Sequence, residues 1–193
     1  GFAGFTLVMP FLPLYISELG VRDVGEIAMW SGLTLGATPA VGTVALTAIA
    51  PPTAAAATPT RLAADVTSLF SGAYTNATVD TWSASWDQAD VTDVTLAGNA
   101  TKKYTNLTFA GIEFTSATVD ATAMTHFHVD LWSPTAGDMK IKLVDFGANG
   151  VWGTDDVEHE VTRTLAAAGW NQLEIPFSDF TGLTTRAHLA QMI

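Results

Sequence analysis

Alternating hydrophobic and polar positions dominate the later two thirds of the chain and are clearest over residues 124–132. In an extended backbone this stretch places Phe127, Val129 and Leu131 on one face. The opposite face carries a polar and aromatic row, His126, His128, Asp130 and Trp132. The same alternation, or a run of β-branched and aromatic residues, predicts further strands at 66–70, 90–97, 102–104, 111–115, 140–143, 157–165 and 172–175.

Glycine, asparagine and aspartate interrupt these stretches about every 8–12 residues, and no long segment after residue 60 shows helical spacing. About nine short strands without crossover helices favour a mainly β fold. We therefore expect an antiparallel β-sandwich with jelly-roll topology over residues 61–193. A last alternation occupies residues 188–193, and we predict that the sandwich lacks its closing strand.

The first sixty residues have a different pattern. Residues 1–37 are almost wholly apolar and predict a helical segment with a stretch close to the length of a membrane span. Residues 38–60 are rich in alanine, threonine and proline and predict a linker. The first sixty residues contain only three acids and one base, whereas residues 61–193 contain 16 acids and 7 bases.

The acidic balance of residues 61–193, a net charge of −9, narrows the choice of ligand. It argues against nucleic acid, because neutralisation of phosphates requires lysine and arginine. It is compatible with a neutral polysaccharide or a bound cation. The chain has no cysteine, which excludes disulfides, thiolate metal sites and a cysteine nucleophile.

The apolar start of the chain resembles a known family. It reads VMPFLPLYI at 8–16, ELGV at 18–21 and WSGL at 30–33. Over residues 1–37 this resembles the first transmembrane helix and following loop of a major facilitator superfamily transporter. That family needs a full set of spanning helices, and because the later residues do not supply them we expect no transport activity. We interpret residues 1–37 as a transporter-like fragment that is joined unnaturally to the β-rich residues after it. The alternative is a real N-terminal membrane anchor.

A second resemblance covers residues 59–193. Its runs include VDTW at 79–82, AGNATKKY at 97–104, MTHFHVDLW at 124–132, KLVDFGANG at 142–150 and DFTGLTT at 179–185. Together they resemble a β-sandwich accessory module found beside laminarinase-type β-glucanases and other secreted glycoside hydrolases of Bacteroidetes-like bacteria. The resemblance implies a galactose-binding-like or carbohydrate-binding-module-like fold and an extracellular or cell-surface role beside a catalytic domain.

Tryptophan supplies the candidate sugar contacts, because an exposed indole packs against the apolar face of a pyranose ring while neighbouring polar groups fix its hydroxyls. Most tryptophans in a small sandwich instead fill its core or rim. Trp132 is favoured because it shares a row with His128 and Asp130. The other candidates are Trp152, which lies on an acidic loop, Trp82 and Trp86.

The acidic loop is a candidate calcium site with a structural role, because calcium takes hard oxygen ligands and clustered carboxylates repel one another. The candidate ligands are Asp145, Asp155, Asp156 and Glu158, with Asp65 as a weaker addition. The alternative is a solvated acidic hairpin tip.

The carboxylate pattern Glu-x-Asp-x-x-Glu of the neighbouring β-glucanase domains is absent from the sequence, and we expect a non-catalytic module. The leading hypothesis is a monomeric, secreted carbohydrate-binding or substrate-targeting module, with a polysaccharide of the β-glucan class as its partner. The alternatives are a structural spacer or assembly module without a ligand, and a membrane-anchored surface domain if residues 1–37 are genuine.

Overall fold

The computed structural model describes residues 51–193. The chain divides into two compact units, Gly1–Ala48 and Ile49–Ile193, and the described residues all belong to the second. The apolar helical segment predicted over 1–37, and positions 38–50 of the predicted linker, lie outside the described residues. Between residues 51 and 193, no helix combines the length and apolar character that crossing a bilayer requires.

The protein is mainly β, with 45% strand and 6% helix. Its eight described strands are β1 (Gln88–Leu96), β2 (Asn99–Phe109), β3 (Ile112–Glu113), β4 (His126–Ser133), β5 (Gly137–Asp145), β6 (Val157–Leu165), β7 (Gly169–Pro176) and β8 (Leu189–Met192). Short 3₁₀ turns occur at Ala63–Asp65, Thr115–Ala117 and Phe177–Asp179.

The strands form three antiparallel sheets. A four-stranded sheet has the order β3-β8-β5-β6, and the other two are the ribbons β4-β7 and β1-β2. The strand β8 therefore lies between β3 and β5 inside the largest sheet, and Ile193 continues its pairing through two backbone hydrogen bonds with Lys142. The alternation of residues 188–193 is confirmed as a strand, while the predicted absence of a further strand stays a prediction.

One hydrophobic core joins the four-stranded sheet to the β4-β7 ribbon. Ile141, Leu143 and Val161 point inward from β5 and β6, and Ile175 does so from β7. Aromatic side chains complete the layer between the sheets, including Phe114 and Phe180, with Phe127 packed against it from β4. Burial of each such side chain stabilises the fold by about 1.5–3 kcal/mol. The four-stranded sheet and the β4-β7 ribbon thus form a sandwich-like arrangement of two layers.

Local pattern predicted most of these strands. The bounds of β6 match the prediction, but β2 is much longer than the predicted 102–104. The reason is the two-residue turn at Ala97 and Gly98, whose φ angles of 47° and 84° join β1 and β2 into a tight hairpin. The predicted strand at 66–70 is wrong, because this stretch makes only one isolated bridge, between Ser68 and Asn76.

Candidate ligand-binding cleft

A cleft of about 450 Å³ lies on the outer side of the four-stranded sheet. Its volume falls in the range of about 300–1,000 Å³ that is usual for ligand sites. Trp86 comes from the segment before β1 and Trp152 from the loop between β5 and β6. The full lining is Trp86, Lys142, Trp152, Glu158, Gln191 and Ile193. The two tryptophans stay 44% and 56% exposed, so their rings are accessible to a ligand.

Trp86 is held in place from three sides. Its ring lies so close to the backbone of Gly111 that a Cβ there would be 2.5 Å from Cη2 of the indole. It stacks on Phe109 with a centroid distance of 6.3 Å, and its Nε1 donates a hydrogen bond to Oε1 of Glu113 at 3.1 Å. The ring is therefore fixed before any ligand arrives, which reduces the entropy lost on binding.

Trp152 is carried by a loop with unusual backbone geometry. Gly147, Gly150 and Gly153 all have positive φ, a conformation that glycine adopts with little strain. The indole packs against the buried ring of Phe146, with centroids 5.8 Å apart. Because Phe146 follows β5 directly, this contact joins the loop to the sheet and places Trp152 at a defined edge of the cleft.

The floor between the two tryptophans is part apolar and part polar. Val144 and Ala190 are fully buried beneath it. Gln191 donates from Nε2 to Oε1 of Glu113 at 2.9 Å, the same oxygen that accepts from Trp86. Lys142 donates to Glu158 at 2.9 Å, so its charge is compensated within the cleft.

Two further charges continue this pattern outside the cleft. Lys140 forms an ion pair with Glu160 at 2.9 Å. Their hydrogen bond raises the pKa of Lys140 and lowers the pKa of Glu160. On the exposed face of β5 and β6, Lys140 and Lys142 are thus each paired with a carboxylate.

Trp132 does not contribute to the cleft. It lies on the outer face of the other layer, directly opposite Trp170 in the β4-β7 ribbon. The row predicted with it is present: His128 lies 3.1 Å from Glu174 and 3.4 Å from Asp130. The sequence therefore grouped Trp132, His128 and Asp130 correctly, but this group is separate from the cleft of Trp86 and Trp152.

Trp82 belongs to neither face. Its ring meets Phe70 edge-on at 5.3 Å, and Nζ of Lys102 lies 5.1 Å from its centroid. Its carbonyl accepts a hydrogen bond of 2.7 Å from the hydroxyl of Tyr104. Burial raises the pKa of that phenol to about 12, helped by the nearby negative charge of Asp87 and Asp93. These contacts of the half-buried Trp82 side chain indicate a role in packing.

The acidic loop does not gather its carboxylates around one point. Asp145 is fully buried and accepts hydrogen bonds of 2.8 Å from the backbone N–H groups of Gly147 and His188. Asp156 accepts from the N–H of Gly153, whereas Glu158 pairs with Lys142.

The remaining candidate calcium ligands are also separate from one another. Asp155 lies 3.5 Å from the side-chain amide of Asn149, and Asp65 is exposed in a 3₁₀ turn. Throughout residues 51–193 there is no group of three or more His, Asp or Glu side chains arranged to hold a metal ion. The calcium prediction thus gains no support from the side-chain positions.

Several residues of the cleft were not singled out from the sequence. Gln191 and Glu113 meet only because β8 pairs with β3, and Lys142 faces the cleft only because β5 is the next strand. These contacts join positions far apart in the chain. The sequence around Gly111 did not indicate its role either, because Gly111 contributes to the cleft by having no side chain where the Trp86 ring lies.

Comparison with known proteins concerns the start of the chain. A short N-terminal segment matches Multidrug resistance protein MdtG of Proteus mirabilis, with 50% identity over 36 residues, or 19% of this chain and 9% of that protein. The same protein of Yersinia enterocolitica and of Salmonella arizonae is 56% identical over 36 residues. The chain thus covers 9% of the length of these relatives, and the match agrees with the transporter-like character of the segment. No protein-family model and no solved structure matches the chain.

Proposed function

We propose that the β-rich unit is a non-catalytic carbohydrate-binding module that takes a neutral polysaccharide of the β-glucan class in the cleft of Trp86 and Trp152. Such a module acts by tethering. It keeps a linked glycoside hydrolase at high local concentration on its substrate, and this role implies a secreted or cell-surface protein.

The observation that supports the proposal most directly is the pair of exposed indoles at one concave site. Exposed apolar side chains grouped at one site and rimmed by polar groups are typical of an interaction surface. Sugar rings present apolar C–H faces to indoles and hydroxyls to the groups between them. Gln191, Glu158 and Lys142 provide donors and acceptors at that place in the cleft.

The charges of the cleft favour a neutral sugar over an acidic one. Lys142 is already paired with Glu158, and Glu113 adds a carboxylate beside Trp86. A uronate or sulfate would meet this negative charge and the net charge of −9 on residues 61–193. Like charges brought together raise the free energy of the complex, and the same argument disfavours nucleic acid.

Affinity electrophoresis through gels containing laminarin, mixed-linkage β-glucan or xylan tests the proposal. We expect retardation of the wild-type protein by at least one neutral glucan. Trp86→Ala and Trp152→Ala should each weaken binding by about 2 kcal/mol, roughly thirty-fold, as truncation of a central aromatic contact does.

Leu107→Ala is the matched control, because Leu107 is a comparably exposed apolar side chain on β2 and does not line the cleft. Its retardation should equal that of the wild-type protein. Unchanged mobility of the wild-type protein on every polysaccharide would overturn the proposal and favour a spacer or assembly module without a ligand.

A further inference from the structure

A segment of the same chain contacts the outer face of the β4-β7 ribbon. Residues 51–61, called the strap below, fall in the predicted linker and its flank but contact the folded unit. The carbonyl of Ala54 accepts a hydrogen bond of 2.9 Å from Nε1 of Trp170. At the other end, Arg61 lies 3.5 Å from Glu174. The strap therefore passes alongside β7 between Trp170 and Glu174.

The surface next to the strap has the composition of a glycan site. Trp132 and Trp170 are directly opposite each other across the ribbon, and Asp130 is opposite Gln172. Side chains in such cross-strand pairs lie side by side on one face. Two adjacent indoles with a carboxylate and an amide beside them resemble the groups that line the cleft on the other layer.

The strap is weakly held over this surface. Arg61 and Glu174 are both largely exposed, at 60% and 44%, and exposed ion pairs contribute little. A third contact is the hydrogen bond that the hydroxyl of Tyr74 donates to the carbonyl of Arg61 at 2.9 Å. The strap is mostly alanine, threonine and proline, whose small side chains bury little apolar area.

One polar group of this face is unsatisfied. Asp130 points outward in the alternation of β4, yet only 18% of its side chain is exposed. Its Oδ1 is buried and has no hydrogen-bond donor among the described residues. A buried carboxylate oxygen without a hydrogen-bond donor is destabilising. A sugar hydroxyl is a donor of the right size to satisfy it.

We propose that the strap is a displaceable cover over a second glycan-binding face formed by Trp132, Trp170 and Asp130, so that glycan and strap compete for it. This inference rests on the proposed function for the class of ligand. Because only open molecules can bind, the apparent affinity of the face is its intrinsic affinity multiplied by the fraction of molecules that are open. A change that weakens the strap without altering the face therefore strengthens binding there.

The test starts from the double variant Trp86→Ala/Trp152→Ala, in which the cleft is disabled, and adds Arg61→Gln to weaken one anchor. In laminarin gels we expect the triple variant to bind with a Kd at least three-fold lower than the double variant. Lys103→Gln, which removes one positive charge from the distant β1-β2 hairpin, is the matched control and should leave the Kd of the double variant unchanged.

Trypsin provides a second readout, since Arg61 is itself a cleavage site. In the double variant, saturating laminarin should accelerate cleavage after Arg61 several-fold while cleavage at Lys102 and Lys103 in the hairpin keeps its rate. Equal Kd values for the triple and double variants, with laminarin-independent cleavage after Arg61, would overturn the strap proposal.

The two proposals fail in different ways. If the wild-type protein binds laminarin through Trp86 and Trp152 but Arg61→Gln has no effect, the cleft remains the glycan site and the strap is a permanent part of the fold. If no protein, with or without Arg61→Gln, is retarded by any of the three polysaccharides, the proposed function fails and the second face fails with it.

Discussion

Gly111→Ala tests whether the position of the Trp86 ring decides ligand binding. The added Cβ would lie 2.5 Å, 2.7 Å and 3.0 Å from three atoms of the indole, Cη2, Cζ2 and Cζ3. Ordinary van der Waals contact begins near 3.4 Å, so the ring must retreat by about 1 Å. The ring is the far end of an exposed side chain, and it moves more easily than the backbone of Gly111.

This displacement has a calculable effect on binding. The hydrogen bond from Trp86 to Glu113 is 3.1 Å long and is lost beyond about 3.5 Å. Loss of such a bond removes about 1 kcal/mol, and the indole face also moves out of its place in the cleft. We expect the affinity for glucan to fall by about 1–2 kcal/mol, roughly five- to thirty-fold.

Isothermal titration calorimetry against the glucan that retards the wild-type protein measures this change, and a thermal melt checks folding. We expect the melting temperature to change by less than about 3 °C, because alanine also restricts the unfolded chain and offsets part of the clash. Gly137→Ala is the matched control, since a Cβ at Gly137 meets nothing within 4 Å. If Gly111→Ala binds with wild-type affinity, the ligand does not depend on the Trp86 ring, and the assignment of the cleft is wrong.

Three further predictions concern Asp145, Tyr104 and calcium. Asp145→Asn should lower the free energy of unfolding in urea by about 2–3 kcal/mol. The reason is that the N–H of Gly147 or of His188, each 2.8 Å from a carboxylate oxygen, would then face the amide N–H of the new side chain. A loss of stability no larger than that of the exposed Asp90→Asn would contradict this. Tyr104, whose pKa is raised to about 12, should ionise well above the usual pH of a phenol in an ultraviolet titration. Because the folded state binds this proton more tightly than the unfolded chain does, stability present below about pH 10 is lost as the pH approaches 12. The late step should vanish in Tyr104→Phe, and its persistence would refute the assignment. The melting temperature should be equal with EDTA and with calcium, and an increase in calcium would show that the separated carboxylates come together around the ion.

Local sequence pattern was sufficient where a strand depends on its own residues. The alternation of residues 124–132 placed Phe127 toward the core and His128 on the outer row, because side chains alternate in any extended strand. The same reasoning failed at 66–70, where the hydroxyl of Ser68 bonds the side chain of Asn76 and the backbone leaves the strand after one bridge.

Such reasoning predicted only part of the candidate site. Trp86 and Trp152 were recognised as candidates, but their meeting in one cleft depends on β8 lying between β3 and β5, a pairing between distant segments that no local pattern encodes. Trp132 was favoured for its neighbours in sequence, and those neighbours are correct. The sequence pattern could not predict the strap, because an alanine- and threonine-rich segment is typical of a linker whether or not it contacts the folded unit.

Two carboxylates of the acidic loop bond the backbone of the turn that carries Trp152. A loop whose glycines have positive φ exposes backbone N–H groups that the strands do not satisfy, and a buried N–H without an acceptor is costly. Asp145 and Asp156 supply those acceptors from either end of the loop. Asp145 and one oxygen of Asp156 thus stabilise the backbone turn that presents Trp152 to the cleft. On this reasoning Asp145→Asn should weaken glucan binding as well as folding, whereas Asp155→Asn, whose carboxylate has only a long contact with Asn149, should leave binding intact.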